Sequence, residues 1–217
     1  MLISKVPVIA REGWPILYAT VLLGAALGYF VSPWLALPFF LLVLFFLYLF
    51  RDPARKVPAL PLAVVSPVDG VVQSIQEGID PFLQREAIRL DLMMNPLGVF
   101  SLRSPIEGKL QQQWHGTTVS QDVKYAQCVQ TDEKDQVVWG VVVHSMFDPR
   151  CYAQPGERLG QGQRCGYLSL GGQVVVWLPA NSRIKVKQGE RVLSGESEIA
   201  TLVHSTAVSS IAEEGNL

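Results

Sequence analysis

The hydrophobic pattern changes character once along the chain. Residues 14–31 and 33–50 are two apolar runs parted at Ser32-Pro33, and from Gly13 to Phe50 there is no Lys, Arg, Asp or Glu. Each run covers 18 residues, which as a helix reaches roughly 27 Å, about the thickness of a hydrocarbon core. Neither run has the polar face that a helix buried on one side of a soluble core shows. The pattern predicts two transmembrane helices forming a hairpin within residues 1–50. A cleaved signal peptide fits less well, because a second span follows the first and no small-residue cleavage site ends it.

Residues 51–62, RDPARKVPALPL, are Pro-rich and basic, and predict a linker over 51–63. From Val64 onward the apolar runs are short and broken by Gly, Pro and Asp. VVSPVDGVVQSI (64–75), WGVVVHSMF (139–147), GGQVVVWLP (171–179) and RIKVK (183–187) read as strands by β-branched content or alternation. Turn signals at short spacing favour a sandwich or barrel over βαβ units. A short helix is expected at VSQDVKYAQ (119–127), and residues 206–217 read as a frayed tail. The fold class is therefore two N-terminal transmembrane helices plus a mainly β domain over 64–205, sandwich- or barrel-like.

Two internal echoes run through that domain. SPVDG at 66–70 recurs as SPIEG at 104–108, and GERLGQGQ at 156–163 recurs as GERVLSGE at 189–196. Glycine at fixed offsets marks hairpin turns, and paired β-units of this kind resemble the hairpin repeats of biotinyl/lipoyl modules. Such carriers present a lysine at a hairpin tip. Lys187 lies ahead of Gly189, in the expected strand and not at the tip, which argues against that role.

Charge adds an orientation. Lys5 and Arg11 precede the first run, Arg51, Arg55 and Lys56 follow the second, and the turn between the runs is uncharged. By the positive-inside rule both ends lie in the cytoplasm, so the β domain is expected on the cytoplasmic side of the inner (cytoplasmic) membrane. Trp14, Trp34 and Tyr48 fall near run ends, where amphipathic rings favour the interface. Eighteen Lys and Arg against 19 Asp and Glu give no sign of a nucleic-acid partner. Cys128, Cys151 and Cys165 have no CxxC spacing and read as reduced thiols. His115, His144 and His204 do not join them at metal-ligand spacing, so no metal site is expected.

Six segments taken in order resemble the phosphatidylserine decarboxylase family, in its short form with an N-terminal membrane hairpin. They are FRDPARKVP (50–58), VVSPVDGVV (64–72), NPLGVFSLRSPIEGKL (95–110), TDEK (131–134), GQGQRCGYLSLGGQVVVWLP (160–179) and VKQGERVLSGESEIA (186–200). The resemblance covers about residues 14–202. It implies chemistry at a pyruvoyl group, whose carbonyl forms a Schiff base that delocalises the carbanion left by decarboxylation. The family makes that group from its own chain. A serine hydroxyl attacks the preceding carbonyl, amide becomes ester, and elimination leaves the pyruvoyl, with an Asp and a His as activating relay.

Carried over by position, the relay Asp corresponds to Asp69. The relay His position holds Phe100, an acid two residues before it is Gly98, and the self-cleaving serine position holds Gly172. Glycine has no hydroxyl, so no pyruvoyl cofactor is expected. Ser169 is the nearest serine, but residues three apart on a strand face opposite ways. His115 and His144 are off the motif, and the family's paired arginines are absent from VVHSMFDPR (142–150). The resemblance thus implies a membrane-anchored phosphatidylserine decarboxylase-like protein without pyruvoyl-dependent activity. Its expected partners are membrane phospholipid and a phospholipid-metabolism protein or a second copy of the chain. Asp69 is then a vestigial relay residue, and Arg103, Phe100 and Gly172 are the expected ligand contacts. The alternative is an active decarboxylase of phosphatidylserine or another amino-phospholipid that makes phosphatidylethanolamine through a non-standard processing site.

Overall fold

The structure is a computed structural model that describes residues 9–203 apart from 59, 61, 117, 118 and 146. His204 and the expected tail lie outside the described residues. The two apolar runs fold as α1 (Trp14–Phe30) and α2 (Ala36–Leu49), joined through Ser32 and a 3-10 turn at Pro33–Leu35. The segment Arg11–Phe30 is long and apolar enough to cross a membrane, whereas the apolar helix Pro33–Leu49 is shorter. Small residues bring the helices together. A Cβ at Gly24 would lie 2.6 Å from the Phe39 Cβ, and one at Gly28 would lie 3.0 Å from the Ala36 Cβ, so glycine at these positions lets the helices approach closely. The outer sides of the pair remain exposed, including Leu22, Tyr29, Phe30 and Trp34.

The β domain follows as β1 (Ala63–Val65), β2 (Gly70–Asp80), β3 (Arg85–Met94), β4 (Ser101–Arg103), β5 (Gly108–His115), β6 (Val123–Gln130), β7 (Gln136–Val142), β8 (Arg150–Cys151), β9 (Arg158–Leu159), β10 (Arg164–Tyr167), β11 (Gln173–Pro179), β12 (Arg183–Ile184), β13 (Arg191–Val192) and β14 (Glu198–Thr201). Eight strands make one antiparallel sheet in the order β13-β2-β3-β11-β7-β6-β5-β9, and β1-β14-β12 and β4-β10-β8 make two smaller ones. The apolar run of β11 is explained by burial on both faces. Val174, Val176 and Leu178 enter the main core, while Val175 and Trp177 enter a smaller cluster with Val138, Val142, Phe82 and Trp114.

Two expectations change. Residues 123–127 are the start of strand β6 and not a helix: Tyr125 and Val129 face the main core and Ala126 and Cys128 the smaller cluster. Val119, Val123 and Ala126 also fit a helical spacing, so the period was ambiguous over so short a run. The strand expected at RIKVK is only Arg183–Ile184; Lys187 sits in irregular backbone ahead of the Gly189 turn.

The sequence echoes correspond to a pseudo-twofold arrangement of the sheet. Val192 pairs with Gly70 as Leu159 pairs with Gly108. The hydroxyls of Ser66 and Ser104 donate to the carbonyls of Val68 and Ile106 at 2.7 and 2.8 Å. Gly195 N–H donates to Ser66 O and Gly162 N–H to Ser104 O, both at 2.8 Å. The halves meet where β11 pairs with β7. Glycine is required at the tight points: a Cβ at Gly70 would lie 2.1 Å from Met93 O, and one at Gly108 the same distance from Gln130 O.

The hairpin is not hung on a loose tether. Ala10, Leu49 and Phe50 belong to the main core, Ala10 N–H donates to Phe50 O at 2.8 Å, and Phe50 stacks on Tyr167 with centroids 6.3 Å apart. The basic connector is held down too, through the Arg55–Asp69 ion pair and a 2.9 Å bond from Lys56 N–H to Glu196.

Candidate functional site

The sequence positions singled out above gather at one end of the large sheet. Asp69 ends the SPVD turn into β2, Asn95 N–H donates to its carbonyl at 3.3 Å, and the neighbouring Met94 N–H donates to Gly172 O at 2.9 Å. Phe100 closes the group from the core side, with a ring edge 3.6 Å from where a Cβ on Gly171 would stand. So Asp69, Phe100 and Gly172 come together around Met94 and Asn95.

Their side chains have other business. Phe100 is 1% exposed and sits edge-on to Tyr167 at 6.2 Å, extending the aromatic stack that reaches Phe50. The Asp69 carboxylate accepts from Ser194 N–H at 2.6 Å and pairs with Arg55 at 2.5 Å. Burial pushes its pKa up, against the pull down from Ser194 N–H, Arg55 and Arg103. An acid with a raised folded-state pKa contributes stability in its neutral form, full below its unfolded pKa and lost as pH rises through the folded value. Asp69→Asn keeps an acceptor for Ser194 N–H but removes the charge that faces Arg55, and is expected to cost about 1–3 kcal/mol. It should also remove the contribution of Asp69 to the pH profile, so that the urea stability of the wild type relative to the variant falls as pH rises from below 3.8 towards neutrality. An unchanged pH profile would contradict this.

Gly172 holds the most informative contact. A Cβ built on it would lie 2.1 Å from the Ser145 Oγ, 2.6 Å from the Ser145 Cβ and 3.2 Å from Leu168 Cδ2. Ser145 follows β7, is buried, and its Oγ has no hydrogen-bond partner among the described residues. Its backbone carbonyl instead receives the Lys124 ammonium at 2.8 Å. The space beside Gly172 is thus taken by a serine from another strand end. Ser145 lies in the VVHSMFDPR segment, but nothing in its local spacing announces this contact.

Arg103, the other expected ligand contact, is a buried charge. It is 2% exposed, pairs with Asp52 at 3.2 Å and donates to Gly162 O at 3.1 Å. Asp52 also receives Arg164 at 3.3 Å and Ser101 at 3.2 Å, and Arg164 in turn meets Glu12 at 3.0 Å. This chain of charges joins strands β4 and β10 to both feet of the hairpin. Burial lowers the Arg103 pKa, opposed by Asp52. Ser169 is half-buried. His115 lies edge-on to Tyr125 at 5.1 Å, at the end of β5. A cleft of about 390 Å³ lies elsewhere, lined by Leu60, Ile106, Glu107, Asp132, Arg158 and Gln161 among others, and none of Asp69, Phe100, Arg103 or Gly172 lines it.

The family model described as phosphatidylserine decarboxylase matches residues 42–200. The phosphatidylserine decarboxylase proenzyme of Nitrosomonas europaea is 37% identical over 207 residues, covering 89% of this chain and 95% of that protein. The proenzyme of Burkholderia cenocepacia (strain HI2424) is 36% identical over 211 residues, covering 90% and 97%. Among solved structures, glucose permease IIA from Mycoplasma capricolum aligns with a TM-score of 0.45 at 15% identity, over 64% of this chain and 94% of that one, too distant a likeness to bear on function.

Proposed function

The chain belongs to the phosphatidylserine decarboxylase family, and from that premise we propose that it is a membrane-anchored member that neither cleaves itself nor forms a pyruvoyl group. One observation carries the reading: at position 172 there is neither a hydroxyl nor room for one, because Ser145 fills the space a side chain would need. The residues present therefore do not fit the family's prosthetic group. Phe100 points the same way, since a phenyl ring packed against Tyr167 neither takes nor gives a proton. The fold and the hairpin foot survive beside these changes. The remaining role is binding at the membrane, to phospholipid or to a protein of phospholipid metabolism, with both helices in the bilayer and the β domain on its cytoplasmic face.

The test is the intact mass of the chain purified from its membrane. One species of 23.9 kDa is expected, with no decarboxylation of phosphatidylserine in mixed micelles. Two fragments with a blocked N-terminus on the smaller would overturn the reading and favour the active decarboxylase.

A further inference from the structure

We propose that the loops around Gly172 form a second membrane-contact surface, an apolar rim that sits in the lipid interface beside the hairpin. The proposal rests on the membrane reading of that hairpin and goes beyond it by placing one end of the β domain in contact with lipid.

Strand register defines that end. Gly70 pairs with Met94, Met93 with Gln173, Val174 with Val141, and Val123 with Val142. The loops that leave or enter at these positions carry exposed apolar side chains: Leu97 after β3, Val119 before β6, Val143 and Phe147 after β7, and Leu170 before β11, with Met93 on the strand itself. Leu97 is 54% exposed, Leu170 47% and Phe147 44%. The opposite end of the sheet has the β2–β3 turn, the β6–β7 turn and the exit of β11, and there the large exposed apolar side chains are fewer and scattered: Ile79 on the first turn, Leu60 beside the second and Val203 next to Asn181. Scattered exposed apolar residues are ordinary, but six on neighbouring loops of one end mark a contact surface.

Two features select lipid as the occupant. First, the rim is continuous with the foot of α2. Arg51 donates to Tyr48 O at 2.8 Å and to Leu97 O at 3.3 Å, so one guanidinium joins the last turn of the helix to the Leu97 loop. Its position over the Tyr48 ring, 3.9 Å from the centroid, suits the headgroup level, where Tyr and Arg anchor helix ends. Second, backbone carbonyls of the loop bearing Phe147 already have a donor. Lys124 donates to the carbonyls of Ser145 and Phe147 at 2.8 and 2.6 Å and is neutralised by Asp148 at 3.1 Å. Backbone acceptors that approach hydrocarbon need such partners. Leu170 adopts φ +58° in the turn before Gly171, a conformation that L residues with bulky side chains rarely take. The strain holds an apolar side chain outward where glycine or asparagine fits with less strain.

The experiment places an environment-sensitive fluorophore at Phe147→Cys, Leu170→Cys and, as the distant control, Ile79→Cys. Each is made in the full chain carrying Cys151→Ser, since Cys128 and Cys165 are buried. The chains are reconstituted in vesicles of phosphatidylethanolamine and phosphatidylglycerol. The expected result is a blue-shifted emission at 147 and 170, with quenching by a lipid-borne quencher several-fold above that at 79. Val119→Cys and Leu97→Cys give the same reading should either first variant misfold. Emission at the rim positions matching that at 79 would overturn the proposal. Carbonate extraction separates the two layers of inference: a chain released by carbonate removes the hairpin reading, whereas a chain retained with a wet rim removes this proposal alone.

Discussion

Replacing Asp52 by alanine is expected to destabilise the protein by about 3–5 kcal/mol, the cost of leaving a buried charge without its partner. Asp52 is 1% exposed and faces two guanidinium groups, of which Arg103 is the more deeply buried. Arg164 keeps Glu12, so the loss falls on Arg103, whose other contacts are the carbonyls of Gly162 and Pro53. The measurement is the denaturant midpoint in detergent solution, with near-ultraviolet dichroism reporting the packing of Tyr167 and Phe50. Removing both charges as Asp52→Asn with Arg103→Met should cost less than Asp52→Ala alone, because no orphaned ion is left in the core. If the double variant were the worse of the two, the pair would be net stabilising in itself. The proposed contribution would then belong to the attraction and not to avoided desolvation.

The same pair shows how far the sequence is legible. Asp52 stands in FRDPARKVP, a segment recognisable at once, yet its partners come from 51 and 112 positions further along the chain, and no spacing rule connects them. The two helices were legible because long uncharged apolar runs parted by Ser32-Pro33 leave few other local structures open. The paired strands were legible where Gly sits at points that tolerate no Cβ, as at Gly70 and Gly108. Residues 119–127 were misread because a strand that faces two cores in succession loses the clean period of two. At the site, the residue types at 69, 100 and 172 were readable by position alone. That Phe100 continues an aromatic stack into the hairpin, and that Ser145 takes the place of a side chain at 172, were not. Both depend on which strand ends meet, and the sequence states that only through the fold.

Gly172→Ser is accordingly expected to fail twice. It should not cleave, since Phe100 offers no base, and it should lose about 1–3 kcal/mol from overpacking against Ser145. The geometry separates the possible rescues. Ser145→Ala removes the oxygen that would lie 2.1 Å from the new Cβ but leaves the Ser145 Cβ at 2.6 Å, still inside contact distance. Ser145→Gly removes both, and leaves only Leu168 to give way by a few tenths of an ångström from 3.2 Å. The double variant Gly172→Ser/Ser145→Gly should therefore recover most of the lost stability, and Gly172→Ser/Ser145→Ala only part of it, by urea midpoints at neutral pH. Adding Phe100→His to the rescued pair then asks whether chemistry returns. Mass spectrometry showing cleavage before residue 172 only in that triple variant would place the lost base at position 100. Efficient cleavage of Gly172→Ser alone would mean that another group, with His144 beside Ser145 the first to examine, already serves as base. The barrier to processing in this chain would then be one missing hydroxyl.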